Sequence, residues 1–216
     1  MIKIILDFDG TIVNVWKRYY SIFKDGTNLN ISFEKYKSLK KELERDELII
    51  KTFKNNVSED FLENYFKFKK RNLENKKYLE LDSLILNPNL VKKNNFEITI
   101  LTLRRNKENF LWQINKLALN PFFEDFVVLK PKQAAKKNWF EIHLRKNIYD
   151  FVYIVGDSEE DALLSLFPNT RLFIVKTGLR KPENVIYKNS LYEKENITVI
   201  ENINEFFKNL WKQKYS

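Results

Sequence analysis

Cysteine is absent from the 216-residue chain, which excludes disulfides and thiolate-held metals. No apolar stretch approaches the roughly 18 residues that a membrane-spanning helix needs. The N-terminus lacks the flanked, small-residue cleavage pattern of a secretory signal. A cytoplasmic protein with no membrane partner is therefore expected. Histidine occurs once, at His143. It falls mid-helix in the expected pattern with no partner in view, and we read it as structural. Internal repeats and low-complexity linkers are missing as well.

What is present suits a folded chain. Apolar residues make up 44 % of it, too many for disorder. The length allows one sizeable core with an insertion, or two small domains. Lysine and arginine number 38 against 29 acids, a formal charge of +9. Such a balance favours anionic partners. Lysine, asparagine and isoleucine are abundant throughout, so we read the excess as compositional bias rather than a nucleic-acid patch.

Ile2–Leu6 reads as a buried strand. Further short, β-rich runs follow at Phe96–Leu101, Phe126–Leu129, Phe151–Val155, Arg171–Val175 and Ile197–Ile200. Helical patterns alternate with them at Asn106–Leu119, Gln133–Leu144, Glu159–Leu166 and Asn204–Lys212. This rhythm predicts an α/β fold, a mostly parallel sheet with helices on both faces. Residues 14–84 break the rhythm. They read as helices in pieces, Val13–Phe23, Ser32–Leu48 and Ser58–Asn72. We expect a helical insertion after the first strand, with residues 1–13 and 85–216 forming the core.

Chemistry concentrates at strand ends. "KIILDFDGTIV" runs apolar from Ile4 to Leu6, then sets Asp7 and Asp9 two residues apart before turning on Gly10. Paired carboxylates repel and resist desolvation, so a positive charge is expected between them. "ITILTLRR" ends a strand on Thr102. "YIVGDSEED" places Asp157 after another strand and Asp161 one helical turn later. Ligands of an open parallel sheet bind at the carboxyl ends of its strands, so these groups are expected to converge. Hard oxygen donors without histidine or cysteine suit Mg²⁺.

Asp-x-Asp-Gly-Thr after a first strand, Thr ending a second and Gly-Asp-x-x-x-Asp after a later one, in that order, resemble the haloacid dehalogenase superfamily of aspartyl phosphohydrolases. The helical insertion stands where that family carries its cap. The resemblance implies a parallel Rossmann-like three-layer core with a helical cap domain. It implies Asp7 as the nucleophile that becomes a phosphoaspartate, and Asp9 as the acid–base. It also implies a Mg²⁺ held by Asp7, the Asp9 carbonyl and Asp157. Asp161 would hold the metal's water shell or orient its neighbours, and Thr102 would bind the phosphoryl oxygens. Asp9 points to phosphate monoesters, because dehalogenases lack this second acid and the self-phosphorylating pumps carry threonine there. The expected function is a Mg²⁺-dependent phosphatase of a small phosphorylated metabolite. A phosphomutase of the same family, or a basic nucleic-acid-binding protein with a vestigial site, are the competing readings.

The family also places a lysine beside the nucleophile. Lys130, Lys132, Lys136 and Lys137 are the candidates. Lys136 is favoured because Phe140 and Leu144 follow at helical spacing, while Lys130 next to Pro131 resembles the Lys-Pro form of other members. Lys24 and Arg45 are candidate specificity residues in the insertion. Trp16, Tyr19 and Tyr20 read as packing within it. Arg104 and Arg105 could either reach an anion or be solvated.

Overall fold

The computed structural model describes residues 2–91, 96–123, 125–144, 149–189, 191 and 195–214. The outer limits expected for the core, Met1 and Ser216, lie outside the described residues. Six strands form one parallel sheet: β1 (Ile2–Leu6), β4 (Phe96–Leu103), β5 (Asp125–Leu129), β6 (Phe151–Gly156), β7 (Thr170–Val175) and β8 (Ile197–Ile200). Their order is β5-β4-β1-β6-β7-β8. β1 is therefore interior, with Ile4 opposite Ile98 on one side and Tyr153 on the other.

Alternation in β1 feeds two cores, because successive strand side chains point to opposite faces. Ile4 and Leu6 pack with Phe110 of α6 (Lys107–Lys116) and with Phe206 and Phe207 of α10 (Ile203–Lys214). Ile5 packs on the other face with Phe140 of α7 (Ala135–His143), Ala162 of α8 (Glu159–Ala162) and Val185 of α9 (Pro182–Lys188). The result is the expected three-layer, Rossmann-like α/β core.

Between β1 and β4 the chain is helical: α1 (Trp16–Thr27), α2 (Phe33–Leu43), α3 (Asp46–Phe53), α4 (Glu59–Asn72) and α5 (Lys76–Leu79). Phe23, Tyr36, Ile49, Ile50 and Tyr65 give this region its own apolar cluster. Ser32 and Ser58 cap α2 and α4, their hydroxyls accepting from the Lys35 and Phe61 amides at 3.2 Å. The chain enters and leaves through a two-stranded antiparallel ribbon, β2 (Val13–Asn14) and β3 (Ser83–Leu84). Among the described residues, no helix is long and apolar enough to cross a membrane.

Several details differ from the sequence expectation. The helix expected over Ser32–Leu48 is two helices, because Glu44 sits at φ 60° and turns the chain. That turn carries Asp46 into the interior of the helical region, where it is buried. α6 stops at Lys116 rather than Leu119, since Ala118 has φ 53°. The helix over Glu159–Leu166 is α8 followed by a 3₁₀ turn at Leu163–Leu166. α9 was not expected at all; Pro182 opens it, in a first turn where a missing N–H costs nothing.

Candidate active site

β1 aims two carboxylates at one place. The Asp7 amide donates to the Val155 carbonyl at 2.8 Å, continuing the sheet by one residue. The chain then reverses. The Phe8 carbonyl accepts from the Ile12 and Val13 amides at 2.9 and 3.1 Å, and the Gly10 amide donates to the Val13 carbonyl at 2.8 Å. Gly10 has φ 82°, and a Cβ there would stand 2.6 Å from Asp157 Oδ2. Glycine is required on both counts.

Lys136 lies in the first turn of α7, buried, with Nζ 2.5 Å from Asp7 Oδ1 and 2.6 Å from Asp161 Oδ1. The Glu160 carboxylate fixes the start of that helix by accepting from the Ala134 amide (2.7 Å) and the Lys136 amide (3.2 Å). Asp161 uses its other oxygen to accept from the Ser158 amide and hydroxyl, at 3.1 and 2.6 Å. Of the other candidate lysines, Lys130 and Lys132 are exposed, and Lys137 lies 4.0 Å from Glu141 along its own helix. Asp7, Asp157 and Asp161 each present a carboxylate oxygen within 4.8 Å of the others.

This cluster is short of positive charge. Burial pushes Asp7 up to about 7, with Asp161 and Asp9 adding to the rise against the pull of Lys136. Asp157 is raised by burial and by Asp7 and Asp161. Lys136 is raised, because those acids outweigh its own desolvation. With all three carboxylates ionised, the one ammonium leaves two negative charges, and the raised values of Asp7 and Asp157 register that excess. A hard divalent cation on oxygen ligands fits that deficit.

Asp9 faces a different environment. Its Oδ1 lies 2.5 Å from Arg18 Nη2 and 2.7 Å from Arg104 Nη2. Burial would raise its pKa, but Arg104 and Arg18 hold it below the usual carboxylate value. Both arginines are themselves buried. Arg18 also approaches Asp82, Nε to Oδ1 at 3.3 Å. Gln113 ties the network together, accepting from Arg104 at 3.1 Å and donating to Asp82 at 2.7 Å. Arg105, by contrast, is exposed.

A cavity of about 360 Å³ opens onto Asp7, Asp9, Thr102, Lys136 and Asp157. The helical region contributes Tyr19, Lys40, Glu44 and Lys69 to its wall, and the segment after β7 adds Leu179 and Arg180. Trp16 donates instead to the Thr177 carbonyl and Tyr20 to the Ile31 carbonyl, so of these three aromatics only Tyr19 lines the cavity. Lys24 and Arg45 are exposed and do not line it. His143 is exposed and stacks on Trp139. Sequence reading missed Arg18, Lys40, Lys69, Asp82 and Glu160. Glu160 lies inside the quoted YIVGDSEED stretch but between the acids read as functional, and the other four sit on ordinary charged helices or loops, where nothing in the local pattern marks them.

The family model described as haloacid dehalogenase-like hydrolase matches residues 4–175. Solved structures resemble the whole chain at low identity. A predicted phosphatase from Clostridium acetobutylicum is 15% identical with a TM-score of 0.66, over 97% of this chain and 98% of that one. A predicted phosphoglycolate phosphatase from Lactobacillus delbrueckii subsp. bulgaricus is 13% identical with a TM-score of 0.65, over 96% and 97%. A predicted β-phosphoglucomutase from Thermotoga maritima is 16% identical with a TM-score of 0.59, over 99% of each chain. Among curated proteins, none shows significant sequence similarity to this chain.

Proposed function

The chain belongs to the haloacid dehalogenase-like hydrolases, and we propose that within them it is a Mg²⁺-dependent phosphatase of a small phosphorylated metabolite, working through a phosphoaspartate on Asp7. The observation that carries this reading is the pairing of Lys136 Nζ with Asp7 Oδ1 at 2.5 Å, beside Asp157, in a cavity that Asp9 also lines.

Asp7 attacks phosphorus, the bond to the ester oxygen breaks, and that oxygen leaves with a proton from Asp9. Water, deprotonated by Asp9, then attacks the aspartyl phosphate and releases inorganic phosphate. Splitting the hydrolysis into two displacements is what covalent catalysis supplies. Lys136 offsets the negative charge of Asp7 and of the phosphoryl group, and Asp161 positions Lys136. Thr102, buried at the cavity wall, hydrogen-bonds a phosphoryl oxygen. Asp7, Asp157 and the main-chain carbonyl of Asp9 would hold the Mg²⁺. When bound, it neutralises the crowded carboxylates and the transferring group.

The two guanidiniums favour ionised Asp9, the state needed to activate water. Donation to a leaving group requires a proton on Asp9, so it must loosen from at least one of them in that half-reaction. Arg18 comes from the helical region, whose residues 14–84 we assign as a cap on the core of 1–13 and 85–216. A cap that excludes water also strengthens every charge interaction inside.

The test is phosphate release from p-nitrophenyl phosphate with Mg²⁺. Release should vanish with a chelator and return on adding Mg²⁺, whereas full activity in chelator would contradict the proposal. A phosphomutase would use the same core residues, and one similar structure is a predicted β-phosphoglucomutase. The two separate on whether the phosphoryl group passes to water or returns to a sugar.

A further inference from the structure

The helical region holds a second charged cluster, separate from Asp7, Asp157 and Asp161 but opening onto the same cavity. Asp46 is buried, and its carboxylate takes four partners. Lys40 Nζ lies 2.8 Å from Oδ1, and Lys69 bonds Oδ2. The Tyr65 hydroxyl donates to Oδ2 at 2.5 Å, and the Tyr36 hydroxyl lies 3.4 Å from Oδ1. One carboxylate therefore faces two ammoniums, leaving one positive charge over. Both lysines line the cavity that contains Asp7 and Asp9.

Their donors are not used up. An ammonium has three hydrogens. Lys40 spends one on Asp46 and one on the Glu44 carbonyl, and Lys69 spends one on Asp46. The other charges that the helical region and the segment after β7 bring to the wall are already matched. The Glu44 carboxylate is taken by Lys188 and by Asn184, and Arg180 pairs with Glu159. Asp9 has its two arginines. The excess charge is therefore local to Lys40 and Lys69.

We propose that Lys40 and Lys69 form a subsite for a carboxylate on the substrate, so that the preferred substrates are phosphate monoesters of small hydroxy acids. This rests on the phosphatase reading and deepens it. One carboxylate matches the one uncompensated charge, whereas a second phosphate would reverse it. The cavity, about 360 Å³, suits a small molecule. Lys40 is pushed below its usual value by burial, with Lys69 adding to the effect against Asp46. A bound anion offsets that repulsion. Asp46 then serves as the positioning residue that keeps both ammoniums at the wall.

Binding tests this without turnover. Dissociation constants would be measured calorimetrically with Mg²⁺ for phosphonoacetate, ethylphosphonate and propane-1,3-bisphosphonate. Phosphonoacetate should bind about tenfold more tightly than ethylphosphonate, the low end of the range for one close, partly desolvated charge pair. It should also outbind the bisphosphonate. Lys69→Gln should collapse the first preference, and Lys69→Arg should keep it. Equal binding of phosphonoacetate and ethylphosphonate to the wild-type protein would overturn the subsite, as would a preference that survives in Lys69→Gln. Tighter binding of the bisphosphonate would overturn the assignment to a carboxylate. Should Lys69→Gln fail to fold, the wild-type comparison still decides. Hydrolysis of p-nitrophenyl phosphate is read separately. Its absence beside a retained carboxylate preference would refute the phosphatase reading and not the subsite.

Discussion

Arg18 Nη2 lies 2.5 Å from Asp9 Oδ1, a contact between the helical region and the core made inside the candidate active site. The same guanidinium reaches Asp82 and the Leu73 carbonyl. One buried side chain therefore bridges two carboxylates and ties the end of α4 to the turn after β1.

Arg18→Met should be costly for that reason. Removing one partner of a buried ion pair leaves an uncompensated charge, typically worth about 3–5 kcal/mol. Burial already pushes Asp82 up to about 6 against the pull of Arg18, so without Arg18 it should take up a proton. Arg18→Met with Asp82→Asn should recover part of the loss. Urea denaturation of the single and double variants measures both effects, and additive losses would contradict the coupling.

Gly178→Ala should injure the proposed metal site. A Cβ at that position would stand 2.1 Å from Asp157 Oδ2 and 2.4 Å from Asp157 Cβ. Asp157 must then shift. Disturbing the groups that orient a ligand typically costs about 10- to 100-fold in metal affinity. Titrating Mg²⁺ against phosphate release should show that increase in the half-saturating concentration. An unchanged value would mean that Asp157 holds no metal.

Asp46 should impose an acid limit on stability. Burial would raise its pKa, but Lys69 and Lys40 prevail and lower it from 3.8 to about 2. A depressed carboxylate stabilises the fold above its unfolded value and loses that contribution as pH falls through its folded value. The window is therefore about pH 4 down to about pH 2, and the contribution is about 2 kcal/mol. Asp46→Asn should be less stable than wild type above pH 4, with the gap closing on acidification. A gap independent of pH across that window would contradict this account of Asp46.

Much of the core was legible because its physics is local. β1, β6 and β7 are short apolar runs covered on both faces, and such runs announce themselves. The site acids sit at strand ends, where topology alone gathers them. Lys136 could be singled out from its neighbours by the spacing of Phe140 and Leu144, residues that bury α7 against the sheet. Other features depend on distant contacts. Glu44 carries no sequence mark of a left-handed turn; its break makes sense only once Asp46 is seen among Lys40, Lys69 and two tyrosines. The ribbon of β2 and β3 joins two-residue strands far apart in sequence, too short for any alternation to show. Arg18 and Lys69 look like surface charges on amphipathic helices. Their roles appear only when the helical region lies over the strand ends.

Asp7 as the group that carries phosphate is the centre of this account, and the Asp9→Asn variant tests it most directly. General acid–base help is worth about 10² to 10⁴-fold, and a nitrophenolate leaving group hardly needs it. With p-nitrophenyl phosphate and Mg²⁺, the first step should therefore outrun hydrolysis of the aspartyl phosphate. Intact-mass measurement should find one added phosphoryl group, and peptide mapping should place it on Asp7. The adduct should be missing in chelator and in the Asp7→Asn, Asp9→Asn double variant. An Asp9→Asn enzyme that turns over at the wild-type rate without an adduct, or a phosphoryl group mapped to another residue, would contradict the account.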